Sequence, residues 1–249
     1  MVKTKGEHRK NFVKLLDNIA YDTSRWNVFS DFLKVSAIAI NNNSDPYFLA
    51  TSKEIRDQRE QEYLKIINHY NKSTRKLFPE MFTELVLELE EHCPSSFIDV
   101  LGDLFNKLNF HDHWKGQFFT PQHVSDLIGR IMISSDTVDK SIKEKGFFTI
   151  NEPCCGAGSM ILGALNAMHE IGLNHSKQVL VVASDIDERC VLMTYLQLSL
   201  YGVPAVIIQQ NSLSMQIYGA PWFTPTFIFG GWTLRARRAF NQDKKIAKS

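Results

Sequence analysis

The sequence predicts an α/β protein in which a helical N-terminal region leads into a short parallel sheet, and three observations carry that prediction. Apolar residues recur three or four apart, at helical spacing, from about Asn11 to Phe105. From Gly146 onward the short β-branched or aromatic runs GFFTINEP, QVLVVASD and AVIIQQN alternate with helix-length amphipathic segments, the rhythm of βαβ units. A glycine turn, NEPCCGAGSM at Asn151–Met160, directly follows the first of these runs, where a parallel sheet carries its ligand-facing loop. The division falls near residue 110, so that residues 1–110 read as a helical domain and residues 111–249 as a sheet domain with a basic tail.

The helical signals are FVKLLDNIA, WNVFSDFLKVSAIAI, EIRDQREQEYLKIINHY and EMFTELVLELEEH, followed by FIDVLGDLFNKL. Two loops separate them, one from Asn41 to Pro46 and one from Cys93 to Ser96, each rich in turn formers. In the second half, helices are predicted from about Ser159 to Ile171, stopped by Gly172, and from about Glu188 to Leu200, stopped by Gly202. After the proline-rich stretch YGAPWFTP, the apolar run TFIFGGW reads as a fourth strand. The last segment, LRARRAFNQDKKIAKS, sets six basic residues against Asp243; it reads as a solvated tail, with contact to a phosphate backbone as the alternative.

Composition narrows the function classes. With 44% hydrophobic and 22% charged residues the chain suits a packed globular protein, and a net charge of +1 leaves nucleic-acid contact to local basic patches. The N-terminus has no apolar run behind its basic residues and no stretch is long enough to span a bilayer, so a cytoplasmic location and no membrane partner are expected. The four cysteines, Cys93, Cys154, Cys155 and Cys190, form no CxxC pair and no disulfide framework. A metal or thiol site built on Cys154, Cys155, His111 and His113 is a poor reading, because adjacent cysteines are bad joint ligands; no metal is expected.

The glycine loop points instead to a small-molecule cofactor. Gly156 and Gly158 let backbone amides and a helix N-terminus approach a ligand closely. Asp185 ends the second predicted strand, where a carboxylate accepts hydrogen bonds from ribose hydroxyls, while Asp187 is placed to cap the next helix. GAGSMI lacks the third glycine of a dinucleotide fingerprint and the lysine of a phosphate loop. Glu152 would repel a pyrophosphate and attract a cationic amino group, so an adenosine-containing cofactor without phosphates fits best.

GQFFTP at Gly116–Pro121, followed about thirty residues later by NEPCCGAGSM, resembles the N6-adenine DNA methyltransferases of the type I restriction–modification modification-subunit kind. That family carries G-x-F-[YF]-T-P, then D-P-x-C-G-S-G, then an acid after the second strand. The resemblance covers roughly Asp99 to Trp232 and implies a helical domain followed by a partial Rossmann-like, S-adenosylmethionine-dependent methyltransferase sheet. It implies that Gln117, Phe118, Phe119, Thr120 and Pro121 fold over S-adenosyl-L-methionine, with the threonine helping to hold the methionine carboxylate. Glu152, Pro153, Cys155, Gly156 and Gly158 match the second motif, Ala157 replacing its serine, and Asp185 matches the ribose-binding acid. Asn211 stands where the family has an aspartate that reads the adenine amino group, and its side-chain carbonyl offers the same acceptor.

The pattern fails at the tetrapeptide [DNS]-P-P-[YFW], which in the family follows strand four and holds the extruded base. TFIFGGW puts Gly230, Gly231 and Trp232 there, with Trp232 as a candidate stacking ring; APWF, Ala220–Phe223, is a rival placement that comes too early for a fourth strand. Neither supplies a polar first residue, so no catalytic residue is named. About seventeen residues follow Trp232, from which a truncated sheet is expected. The leading expectation is an S-adenosylmethionine-dependent, adenine-N6 DNA methyltransferase-like protein of a restriction–modification or mobile-element context. The alternative is a catalytically inactive methyltransferase-fold module that binds cofactor, DNA or a modification subunit. DNA is the expected partner, together with a protein partner or a second copy that completes the sheet or recognises the target.

Overall fold

The computed structural model describes residues 6–93, 95–110 and 119–246; the expected site residues Gln117 and Phe118, with Gly116, His111 and His113, lie outside them. The chain opens with α1 (Glu7–Ile19), a 3-10 turn (Ala20–Asp22), α2 (Arg25–Ser44), α3 (Lys53–Asn68), α4 (Lys72–Arg75), α5 (Leu77–Glu90) and α6 (Val100–Lys107). Side-chain caps start four of these helices: Ser24, Ser52, Asn71 and Asp99 accept from Asn27, Ile55, Thr74 and Gly102 N–H respectively. α1 buries one stripe, Phe12, Leu16 and Ile19, whereas α2 is buried on most sides and forms the middle of the molecule.

The asparagine-rich stretch expected to be a loop is helical as far as Ser44. Asn43 and Ser44 donate to the Ala39 and Ile40 carbonyls, Asn42 donates to Glu60 (3.0 Å), and Asn41 accepts from Arg59 (2.6 Å). These polar side chains bind along and between α2 and α3, so turn-forming composition is overridden. The loop follows instead, organised by the buried Asp45, which accepts from the Leu49, Ala50 and Thr51 amides at 2.6–2.9 Å.

The second half runs α7 (Gln122–Met132), α8 (Ser135–Lys145), β1 (Phe148–Glu152), α9 (Ser159–Glu170), α10 (His175–Gln178), β2 (Val179–Asp185), α11 (Glu188–Leu200), β3 (Ala205–Asn211), β4 (Gln216–Ile217), β5 (Trp222–Phe223), α12 (Pro225–Phe229) and α13 (Trp232–Ile246). β1, β2 and β3 are adjacent and parallel, with Ile150 beside Val181 and Ala183 beside Ile207. The chain then doubles back: β4 and β5 both pair antiparallel with the outer edge of β3, Gln210 facing Ile217 and Ile207 facing Trp222. Four residues of the returning segment therefore oppose two of β3, a bulge locked from behind by Arg59. Its guanidinium donates to the Ala220 and Pro221 carbonyls (both 3.1 Å) and lies 3.7 Å over the Trp222 ring, and burial pushes its pKa down to about 10.

TFIFGGW is not a strand. The buried Thr224 hydroxyl donates to Val203 O (2.7 Å), accepts from Ala205 N (2.9 Å) and caps α12, while Pro225 fills the first helical position that its fixed φ favours. Gly230 and Gly231 break the helix so that α13 can start at Trp232. A Cβ on Gly230 would lie 2.7 Å from Trp232 Cδ1, so the glycine is required by the indole beside it. Trp232 is 0% exposed, edge-on to Phe147 at 5.2 Å with Arg235 3.7 Å over its ring. Arg235 also donates to Lys177 O (2.8 Å), so the start of the basic tail is packed structure.

The two faces of the sheet are covered unequally. Val181, Ala183, Ala205 and Ile207 join the main core with α2, α9 and α11, which also takes in Phe12, Phe29 and Phe32 of the N-terminal helices. Leu180, Val206 and Phe223 face a smaller cluster with Phe227, Ile228 and Trp232. α7 packs on α9 through small residues, since a Cβ on Gly129 or Gly163 would meet the opposite backbone at 2.4 or 2.3 Å. Its apolar stripe points away from that contact: Leu127, Ile131 and Met132 are 58%, 72% and 74% exposed.

Candidate functional site

β1 delivers the glycine loop to the carboxyl-terminal edge of the sheet. Glu152 Oε1 accepts from Cys154 N–H (3.1 Å), Cys155 N–H donates to Ser184 O (2.9 Å), and Gly158 N–H turns back to Cys155 O (2.8 Å) before α9 begins at Ser159. Gly156 and Gly158 have φ of 54° and 98°, the left-handed region. Space adds a second reason for glycine. A Cβ on Gly156 would come 3.0 Å from the Phe119 ring, and one on Gly158 would come 3.2 Å from Thr194 Oγ1.

The loop is held from three sides. Thr194 donates to Gly156 O (2.9 Å), and Gln197 donates to Ala157 O (2.8 Å) and to Asp99 (2.9 Å) while accepting from the Val100 and Leu101 amides. Asp185, at the end of β2, accepts from Gly156 N–H (2.9 Å) through one carboxylate oxygen and from Asp187 N–H (3.0 Å) through the other. Burial raises the Asp185 pKa above the ordinary carboxylate value, and the Asp187 and Gly156 amides oppose that rise. Asp187 caps α11 by accepting from Arg189 N–H (3.0 Å), as its position in the sequence suggested.

A cleft of about 540 Å3 opens above these groups. Of the expected site residues it contains Phe119, Thr120, Pro153, Cys155, Gly156, Asp185 and Asn211. Pro121 precedes α7, Glu152 bonds back to the loop, and Gly158 sits beneath it against Thr194, so these three are outside the lining. Phe119 packs on Phe105 (ring centroids 4.8 Å apart) and covers Gly156, which joins the end of the GQFFTP segment to the glycine loop.

Sequence reasoning missed Met160, Ile186 and Leu213, the apolar walls, and Ser159, Gln210 and Ser212. Ile186 had a usable signal, since it directly follows Asp185. Leu213, 98% exposed on an irregular loop, had none. Gln197, which ties the loop to α6, is 41 residues from Gly156 in the chain and gave no local pattern.

Two expectations change. Asn211 Oδ1 accepts from the Leu213 and Ser214 amides (3.0 and 3.1 Å), so the turn uses the carbonyl assigned to the adenine amino group. What Asn211 retains for a ligand is its amide donor, which suits a ring nitrogen. Trp232 and Trp222 are both buried, Trp232 by the amino-terminal end of the sheet beside Phe147, so neither ring is available to stack on a base in this cleft.

The cleft contains one carboxylate and no lysine or arginine among the described residues, a lining hostile to a pyrophosphate and favourable to hydroxyl and ammonium donors. Cys155 is buried and its thiol pKa is pushed up by that burial, while Cys154 is exposed. No three metal-binding side chains come together among the described residues. No helix among them is long and apolar enough to cross a membrane.

No curated protein matches the chain. Residues 97–220 match the family model described as N-6 DNA methylase. The matched stretch contains β1, β2, β3 and every described residue of the cleft, and it begins where Asn166, Tyr201 and Gln122 side chains take up the backbone of residues 97–99. Residues 97–220, which hold the parallel sheet and the cleft at its carboxyl-terminal edge, are therefore similar to the N-6 DNA methylase family.

Proposed function

We propose that this chain binds S-adenosyl-L-methionine in the cleft above β1–β3 and serves N6-adenine methylation of DNA. The observation that carries the reading is the clamp in which Asp185 holds the Gly156 amide while Phe119 covers the same glycine. The residues fit the cofactor by chemistry. Asp185 keeps lone pairs for two ribose hydroxyls, Ile186 and Leu213 offer apolar surface to a flat base, and Asn211 offers a donor to a ring nitrogen. Thr120 and the N-terminus of α9 at Ser159 are donors suited to an amino-acid carboxylate. The bound cofactor would supply an electrophilic methyl group; the chain's own part is to orient it and to exclude water beneath Phe119.

One observation favours a second reading, in which the chain is a binding module without turnover of its own. TFIFGGW folds as helices and Trp232 is buried, so neither TFIFGGW nor the rival stretch APWF supplies the polar first residue and free ring that would grip an extruded adenine. A protein partner or a second copy would then complete the site, as would fit a restriction–modification or mobile-element setting. The exposed apolar face of α7 supports such a contact.

Titration calorimetry with S-adenosylmethionine tests the cofactor site, and absence of binding removes the enzyme and leaves only a module for DNA or a modification subunit. Incubation with tritiated cofactor and mixed-sequence DNA separates them. Incorporation into adenine establishes the enzyme, and binding without incorporation selects the module.

A further inference from the structure

The helical layer contains a second cleft, apart from the cofactor site. α2 forms its floor, α3 and α5 its walls, and it encloses about 650 Å3. Ile40, Tyr63, Ile67, Phe78 and Phe82 give it an apolar and aromatic lining. Arg75, the last residue of the short helix joining α3 to α5, is the one charged residue in that lining. Its Nε donates to Tyr70 O (2.7 Å), and among the described residues no carboxylate pairs with it. The guanidinium's terminal N–H groups therefore stand beside apolar surface without an anion, where a charge pair is stronger than in open water.

We propose that this cleft binds a small organic acid with an apolar body, its carboxylate paired with Arg75. The cation fixes the sign of the ligand's head, and the aromatic and aliphatic lining fixes the character of the rest. Size decides between a small molecule and a partner helix. α3 contributes Tyr63 and Ile67 alone, one turn or about 6 Å of wall, whereas a docked helix anchors over two or more turns.

The test uses the whole chain and three probes of equal chain length: decanoate, decanol and decyltrimethylammonium, titrated calorimetrically below their micelle concentrations. Decanoate binds at least about tenfold more tightly than decanol, the worth of one charge-assisted hydrogen bond, and the cationic probe does not bind. Arg75→Gln lowers decanoate to the affinity of decanol, and Arg75→Lys restores part of the difference. Amide exchange with decanoate bound gains protection at residues 63–67 and 78–83. Equal affinity for decanoate and decanol, an unaffected Arg75→Gln variant, or protection confined to other residues would overturn the proposal, as would no binding of decanoate.

Discussion

Asp185 answers for two tasks with one carboxylate: it fixes the glycine loop through Gly156 and leaves lone pairs toward the cleft. Replacing it with alanine removes charge-assisted acceptors, and S-adenosylmethionine affinity should fall about 10- to 100-fold by calorimetry. Equal affinity in the two proteins would argue against the ribose role. The same side chain sets a pH dependence. The ionised form is the acceptor and burial raises its pKa, so cofactor affinity should be full above the raised value and fall as the pH drops through it. That loss begins at a higher pH than an ordinary aspartate, with its value of 3.8, would give, and Asp185→Asn should flatten the profile. Asp185 and Gly156 were legible in the sequence because a carboxylate after one strand and glycine after another can be located by position alone. The role of Asn211 was not, because two backbone amides of the following turn decide what its carbonyl does.

At the scale of elements, the run after Pro225 shows where pattern reading fails. Thr-Phe-Ile-Phe is β-branched and aromatic, and a short apolar run does not distinguish a strand from a buried helical turn. The deciding signals flank it: Thr224-Pro225 is a helix start and Gly230-Gly231 a helix stop. β1 and β2 were legible for the opposite reason, because each is followed by its own helix and then by glycine, Gly172 after α9 and Gly202 after α11. Gly230→Ala would drive a methyl group against Trp232 Cδ1 (2.7 Å) and Thr226 O (2.6 Å), and should destabilise the chain by about 1–3 kcal/mol in urea unfolding. A neutral result would mean that the α12–α13 junction yields. The asparagines of α2 teach the same lesson, since only the fold brings Arg59 and Glu60 to them.

For the molecule as a whole, the contrast between the two sides of α7 matters most. Its small residues Ser125 and Gly129 are packed while Leu127, Ile131 and Met132 are exposed, the reverse of an ordinary surface helix. The double variant Leu127→Lys, Ile131→Lys should therefore leave stability within about 0.5 kcal/mol in thermal unfolding, and should reduce any self-association seen by sedimentation. A large loss of stability would show that the stripe is already engaged within the chain. No composition statistic could have revealed this, because the sequence marks α7 as amphipathic without saying which face finds a neighbour.

The return of β4 and β5 along β3 gives the sheet a direction. Ala205–Asn211 has neighbours on both sides, whereas Phe148–Glu152 pairs only with β2 among the described residues. Deuterium should therefore enter the outward-facing amides of β1 long before those of β3, and among the described residues β1 offers the longest unpaired edge to a strand from outside, next to the glycine loop, since β4 and β5 on the other edge are two residues each.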